Sequence, residues 1–188
     1  GMFATHELRT GVPQRRDWPA ACERGRGLLR RRSRELVEAL GFTVESRDTT
    51  TSVLRAGPNG TATAVAIFLD ETESYEGAGQ RFDGNSPVSL ALARADADRL
   101  PFVVITRGPQ IRLYAADKRI VGVGRKGRSE TFIEANVALL PEDAAGYLPL
   151  IFGADALLPG EGEVALLESA RGAVDAGFER AGRRQPQP

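Results

Sequence analysis

Apolar residues recur along the chain with two spacings, every three or four residues in some segments and every second residue in others. These spacings predict helices and strands, respectively. Apolar side chains recur every three or four positions over Arg24–Leu40, which predicts one helix with Gly41 just after its end. Alternation from Phe42 onward predicts a strand, and the sequence Gly-Pro-Asn-Gly at 57–60 predicts a hairpin turn. The return strand, Ala62–Leu69, is apolar at every position from residue 64, so we expect it inside a sheet covered on both faces.

The second half of the chain continues with a helix and further strands. Serine followed by proline at 86–87 is typical of a helix start, and this helix is predicted to reach about Leu100. Phe102–Ile105 then predicts a second buried strand, and a Gly-Pro turn separates it from the alternating segment Ile111–Tyr114. The remaining predictions are strands at 120–123 and 130–137, a helix from Pro141 to Phe152, and a last helix with Val164, Leu167, Ala170, Val174 and Phe178 on one face. This order predicts an α/β sandwich with a central mixed sheet flanked by helices.

Length and composition fit one globular domain. With 188 residues, 41% hydrophobic and 27% charged, the chain is predicted to form a single domain over residues 2–182 with a flexible tail at 183–188. The longest apolar run, Ala64–Leu69, is too short to cross a bilayer, and no signal peptide pattern is found. Cys22 and His6 are the only residues of their types, which excludes an internal disulfide and leaves almost no material for a Ser-His-Asp triad. We therefore expect a cytoplasmic protein in which any metal ion would need carboxylate ligands.

The net charge is zero, but the charges are segregated along the chain. Residues 1–60 carry a net charge of +4 and residues 101–128 carry +6, whereas 61–100 and 129–188 carry −4 and −6. Two groups of basic residues stand out: Arg24, Arg26, Arg30, Arg31, Arg32 and Arg34, and then Arg119, Arg125, Lys126 and Arg128. If both groups lie on one face they could contact a phosphate backbone; otherwise they form a solvated helix face and a charged hairpin.

Three short stretches resemble segments of one protein family. They are residues 3–18, similar to F-S-x-x-Y-L-x-x-x-L-P…W, residues 102–114, similar to the hairpin W-x-x-L-T-N-G-x-x-W-R-L-Y, and residues 147–152, similar to the helix Y-x-x-L-L-F. The family is that of large restriction-modification proteins, in which a nuclease-like domain is joined to an adenine-specific DNA methyltransferase. The resemblance implies a restriction-endonuclease-like sandwich. It also implies two partners, double-stranded DNA and a methyltransferase region of the same or a neighbouring chain. The methyltransferase counts as a partner because this sequence has no N-P-P-Y motif for methyl transfer.

The resemblance also implies where a nuclease site would lie. In nucleases of the PD-(D/E)XK type, an acidic residue on one strand and an acid-x-lysine on the next hold a divalent metal ion that activates water. Asp48 follows the first predicted strand, and Asp70, Glu71 and Glu73 follow the return strand. The candidate catalytic residues are therefore Asp48, Asp70 and Glu71, with Asp48 and Asp70 as candidate ligands of Mg²⁺.

The lysine of that motif is missing from the expected strand. The chain has only Lys118 and Lys126, and the return strand reads Ala-Ile-Phe-Leu-Asp at 66–70. Without a nearby cation, charge at the attacked phosphate lacks a stabilising group. We therefore predict a degenerate site with no cleavage activity of its own.

A glycine-rich segment at 122–127 matches G-x-G-x-x-G, which binds a pyrophosphate where it opens a helix. The residues that follow have the pattern of a strand, which favours a basic hairpin turn over a dinucleotide site. The candidate DNA contacts are thus Arg30, Arg31, Arg34, Arg119, Arg125, Lys126 and Arg128.

The leading interpretation is a catalytically degenerate, DNA-binding nuclease-like domain of a bacterial restriction-modification system. One alternative is an active metal-dependent endonuclease in which an arginine replaces the lysine. The other is a protein-interaction module in which acidic C-terminal helices bind a partner and the arginines maintain solubility. Steep salt dependence of DNA affinity would separate DNA binding from protein interaction.

Overall fold

A computed structural model describes residues 11–117 and 127–158, and these residues form an α/β structure. The described helices are α1 (Trp18–Leu28), α2 (Ser33–Ala39), α3 (Pro87–Asp98) and α4 (Tyr147–Phe152). The described strands are β1 (Thr43–Ser46), β2 (Ser52–Ala56), β3 (Thr61–Leu69), β4 (Phe102–Arg107), β5 (Gln110–Ala115) and β6 (Phe132–Asn136). Short 3-10 helices lie at Val12–Gln14, Gln80–Phe82, Arg128–Glu130, Glu142–Ala144 and Ala154–Leu157.

The described strands form one mixed sheet of six strands in the order β1-β2-β3-β4-β5-β6. The first three strands form an antiparallel meander, and so do the last three. The two meanders meet at a parallel pair, in which Ala64 of β3 lies opposite Phe102 of β4. Helix α3 provides the crossover that a parallel pair requires, because the chain must return to the same end of the sheet.

Both faces of the sheet are covered, and the two faces of β3 contribute to different cores. Ala64 and Ala66 pack with the side chains of α2 and α4, whereas Val65 and Ile67 pack with those of α3. All four residues are fully buried, as the unbroken apolar run predicted. The segment between β3 and α3 adds Tyr75 and Phe82 to the α3 side of the sheet.

The single helix predicted over Arg24–Leu40 is wrong, because the chain forms α1 and α2 with a break between them. Arg32 has an extended backbone (φ −138°, ψ 151°) and Ser33 has a φ of 56°. In one continuous helix the buried residues of the second half would be turned away from those of the first by roughly a quarter turn. The break lets each helix direct its own apolar face inward.

Most other elements follow the sequence prediction. The turn at 57–60 joins Ala56 to Thr61 in an antiparallel register, and Gly41 has a φ of 104° after α2. The Ser86 side chain caps α3 by accepting a hydrogen bond from the backbone N–H of Ser89 at 3.1 Å. The predicted helix from Pro141 to Phe152 is divided between a 3-10 turn and α4. The strand predicted at 120–123, nearly all of the glycine-rich segment 122–127 and the last helix lie outside the described residues.

Candidate functional site

Asp48 organises the turn between β1 and β2. Its carboxylate accepts hydrogen bonds from the backbone N–H groups of Thr50 and Thr51 at 2.8 and 2.7 Å, and from both threonine hydroxyls. Arg94 of α3 lies 3.6 Å from the same carboxylate, and the adjacent Arg47 pairs with Asp98 at the end of α3. Partial burial acts to raise the pKa of Asp48, but the threonine hydrogen bonds together lower it to about 2. The carboxylate is therefore ionised and occupied by protein donors.

The acidic residues after β3 contribute to the fold of the segment that follows. Glu73 binds Arg81 through two contacts of 2.8 and 3.0 Å and accepts a hydrogen bond from the backbone of Asp70. Hydrogen bonds from Arg81 lower the pKa of Glu73 against the opposing effect of burial. Glu71 packs closely against Gly108: a side-chain Cβ at position 108 would lie 2.6 Å from Oε1 of Glu71. Asp70 is exposed at the end of β3.

The candidate metal ligands Asp48 and Asp70 have no third ligand beside them in the described part of the chain. Ser52 at the start of β2 pairs with Ala66 in an antiparallel register, so the turn that carries Asp48 and the end of β3 that precedes Asp70 lie at the same end of the sheet. No group of three His, Cys, Asp or Glu residues within 11–117 and 127–158 is placed to hold a metal ion. β3 contains neither a lysine nor an acidic residue. The acid-x-lysine element of the nuclease motif is thus absent from the strand expected to carry it.

The arginines of α1, α2 and the connection between them form what we term the helical arginine cluster: Arg24, Arg26, Arg30, Arg31, Arg32 and Arg34. Arg31, in the connection before α2, pairs with Glu35 at 2.6 Å, and Arg34 pairs with Glu38 at 2.7 Å within α2. Arg32 donates to the backbone carbonyls of Leu29 and Arg31, which caps the end of α1.

The three other members of this cluster are exposed and have no ion-pair partner among the described residues. Arg24, Arg26 and Arg30 each present the guanidinium to solvent. Arg24 and Arg26 of α1 and Arg34 of α2 belong to helices that pack on the side of the sheet opposite α3. Of the candidate contacts in this part of the chain, Arg30 is thus unpaired within the described structure, while Arg31 and Arg34 hold carboxylates.

Arg128, the described member of the second basic group, has a structural role. Its guanidinium makes two hydrogen bonds to Asp96 of α3 at 2.6 and 2.8 Å, and a third to the Ala116 carbonyl at 2.8 Å. These contacts fasten the segment before β6 onto α3. Arg119, Arg125 and Lys126 lie outside the described residues.

A buried arginine centre, which the sequence did not reveal, lies on the α3 side of β5 and β6. The Arg112 side chain is 3% exposed and pairs with Glu134 of β6 at 2.7 Å. It also donates to Glu76 at 2.9 Å and to the hydroxyl of Tyr114 at 3.2 Å. The guanidinium carbon lies 3.6 Å from the ring centroid of Tyr75 and 3.9 Å from that of Phe132, so Arg112 is held between two aromatic rings as well.

This centre joins the segment after β3 to the sheet. Tyr75 donates its hydroxyl hydrogen bond to Gln110, and Arg107 contacts both Gln110 and the backbone carbonyl of Glu73. Burial raises the pKa of Tyr75 and Tyr114, although the nearby Arg112 opposes this effect, so both hydroxyls are neutral. The alternation around 111–114 predicts a half-exposed strand and gives no sign that Arg112 is buried. The only signal of a buried pair in the sequence is that Arg112 and Glu134 carry opposite charges on two strands that turn out to be neighbours.

A cleft of about 580 Å³ lies beside the helical arginine cluster. Its lining includes the apolar residues Leu28, Leu40 and Pro149 together with the charged residues Arg15 and Arg24. Arg15 is paired with Asp17 at 2.8 Å. The cleft therefore joins apolar surface to at least one arginine that holds no described carboxylate.

Comparison with known proteins identifies no relative. No family model matches the chain, and no curated protein or solved structure shows significant similarity to it. Among the described residues, no helix has the length and apolar character needed to cross a membrane.

Proposed function

We propose that this chain is a nuclease-like domain of a bacterial, cytoplasmic restriction-modification system, and that it binds double-stranded DNA without cutting it. The observation that carries the proposal is the helical arginine cluster, in which Arg24, Arg26 and Arg30 are exposed and hold no carboxylate within the described structure. Exposed guanidinium groups are suited to phosphate oxygens, which they contact in a bidentate manner. Such contacts supply affinity without sequence specificity.

We further propose that the α/β structure is of the restriction-endonuclease-like type. An antiparallel hairpin of β2 and β3, a crossover through α3 and a parallel strand β4 support this assignment. Helices on both faces of the mixed sheet support it as well. The methyltransferase partner follows from the resemblance of the sequence to the fused family and from nothing else.

Two features support the absence of cleavage. β3 carries no acid-x-lysine, and the Asp48 carboxylate is occupied by Thr50 and Thr51. In addition, Asp48 contacts a helix on one side of the sheet and the helices of the arginine cluster pack on the other. Asp48 contacts Arg94 of α3, whereas α1 and α2 pack on the opposite side of the sheet. A duplex held by the helical arginine cluster would therefore lie across the sheet from Asp48.

The proposal is tested by titrating a labelled 20-base-pair duplex with the full chain at several salt concentrations, using fluorescence anisotropy. We expect affinity that falls steeply with salt. Replacement of Arg24, Arg26 and Arg30 by glutamine should lower the affinity at least tenfold and reduce the slope of log K against log salt by up to about 3.

The control removes the same charge from the other side of the sheet. It replaces Arg55, Arg94 and Arg99 by glutamine, and its affinity should stay close to that of the parent if the cluster is the contact surface. Absence of salt-sensitive binding by the parent would overturn the proposal in favour of the protein-interaction module. Equal losses in both triple variants would show that binding follows net charge only.

A further inference from the structure

We infer that Glu35 and Glu38 restrain DNA binding by occupying Arg31 and Arg34, so that these two arginines contact phosphate only after their carboxylates are displaced. This inference rests on the proposed function. The structure shows which arginines of the cluster are paired with a carboxylate and which are not, and the sequence alone does not give this distinction.

The ion pairs that Glu35 and Glu38 of α2 form with Arg31 and Arg34 have the geometry of exchangeable contacts. Arg31 and Glu35 are joined at 2.6 Å with 45% and 67% of their side chains exposed, and Arg34 and Glu38 at 2.7 Å with 54% and 49% exposed. Each arginine makes only one long additional bond, to a backbone carbonyl at 3.3 or 3.4 Å. Exposed ion pairs of this kind contribute little to stability, because both charges remain solvated.

A phosphate group competes with such a carboxylate on favourable terms. Both are anions that accept from the guanidinium fork, but a phosphate on a duplex brings neighbouring phosphates and releases condensed counterions when it is neutralised. The displaced carboxylate stays close to the DNA backbone, since Glu35 and Glu38 are each only four residues along the chain from the arginine they hold. Each carboxylate therefore opposes binding twice, first by holding its arginine and then by repelling the phosphates.

Two other ion pairs in the described structure lack this property. Arg112 is buried with Glu134 and lies between two rings, so no phosphate can reach it. Arg128 is held by two bonds to Asp96 and one to a backbone carbonyl, and its side chain is 21% exposed. Among the exposed pairs, exchange with phosphate is assigned to those of Arg31 and Arg34, because these two arginines belong to the helical arginine cluster together with its unpaired members.

The test replaces Glu35 and Glu38 by glutamine in the full chain. Glutamine and glutamate have similar helix propensity, so the variant should fold like the parent. With the same duplex and salt series, we expect an affinity gain of roughly three- to tenfold and a salt slope steeper by up to about 2, since two arginines become available. In the background of Arg31→Gln and Arg34→Gln, the same two substitutions should give a much smaller gain.

The matched control is Glu45→Gln. Glu45 pairs with Arg55 at 2.7 Å in an exposed contact between β1 and β2, away from the helical arginine cluster. It should leave DNA affinity nearly unchanged. If Glu45→Gln, which removes one charge, raises log affinity by half as much as the double α2 variant, or if the gain of that variant persists without Arg31 and Arg34, the effect is one of net charge and the inference fails.

The outcomes also separate this inference from the proposed function. If the parent binds DNA through Arg24, Arg26 and Arg30 but the α2 variant shows no gain, only the inference is overturned. If neither the parent nor the α2 variant binds the duplex at low salt, both are overturned.

Discussion

Arg112 shows how a single side chain can join a sheet to the segment that covers it. One nitrogen binds Glu134 on the neighbouring strand, another binds Glu76 and Tyr114, and the flat guanidinium lies between Tyr75 and Phe132. Lysine could not reproduce this arrangement, because its ammonium has no planar fork and does not stack. The centre therefore stabilises the segment after β3 through chemistry specific to arginine.

We predict that Arg112→Met lowers the free energy of unfolding by about 3 kcal/mol or more, because a buried ion pair loses one partner together with its hydrogen bonds. Urea unfolding followed by circular dichroism measures the change. Arg55→Met is the control, since the Arg55–Glu45 pair is exposed and its loss should cost less than about 1 kcal/mol. Equal effects of the two substitutions would contradict the structural role of Arg112.

At the scale of elements, the sequence predicts those that depend on local chemistry. The glycines of the turn at 57–60 adopt positive φ, and Ser86 caps α3, because both patterns act within a few residues. Elements that depend on tertiary packing were not predictable in the same way. The break before Ser33 serves the inward orientation of two apolar faces, which no local pattern records. Asp48 is a different case: the family resemblance implied a metal ligand after the first predicted strand, whereas the hydrogen bonds from Thr50 and Thr51 make Asp48 a turn residue.

The turn between β1 and β2 gives a prediction of pH dependence. The pKa of Asp48 is lowered from 3.8 to about 2, so Asp48 stabilises the fold above about pH 4 and loses this contribution as the pH falls through about 2. Asp48→Asn should unfold at lower urea concentration than the parent near neutral pH, and the difference should narrow as the pH approaches about 2. Asp83→Asn, at an exposed aspartate whose carboxylate has no described partner, should shift the midpoint little. A difference in urea midpoint between the parent and Asp48→Asn that stays constant with pH would contradict this account.

At the scale of the whole molecule, the sheet separates the helices of the arginine cluster from the helix that the Asp48 turn contacts. The helical arginine cluster lies on helices of one side, and the Asp48 turn contacts α3 on the other. Alternation and apolar runs in the sequence predict the layers, since β3 and β4 are buried on both faces. Which charges face each other across those layers depends on register and crossover, and the sequence does not contain that information locally.

The lack of a complete metal site among the described residues leads to a prediction for cleavage. The chain alone should not nick or linearise plasmid DNA in Mg²⁺ or Mn²⁺, because no described group of carboxylates is placed to hold the ion and β3 offers no lysine. Agarose electrophoresis after incubation with excess protein measures the outcome, with Asp70→Ala beside the parent. Metal-dependent nicking that disappears in the variant would make the active endonuclease the better account.

The parallel pair of β3 and β4 also has a consequence for how the chain reaches this structure. Each antiparallel meander is built from strands close in sequence, so its loops close early and at small entropic cost. Ala64 and Phe102, in contrast, are 38 residues apart and meet only after α3 has crossed the sheet. Folding is therefore expected to proceed from two local units whose docking along β3 and β4 sets the rate, and substitutions at that seam should slow folding more than equally destabilising substitutions at either edge.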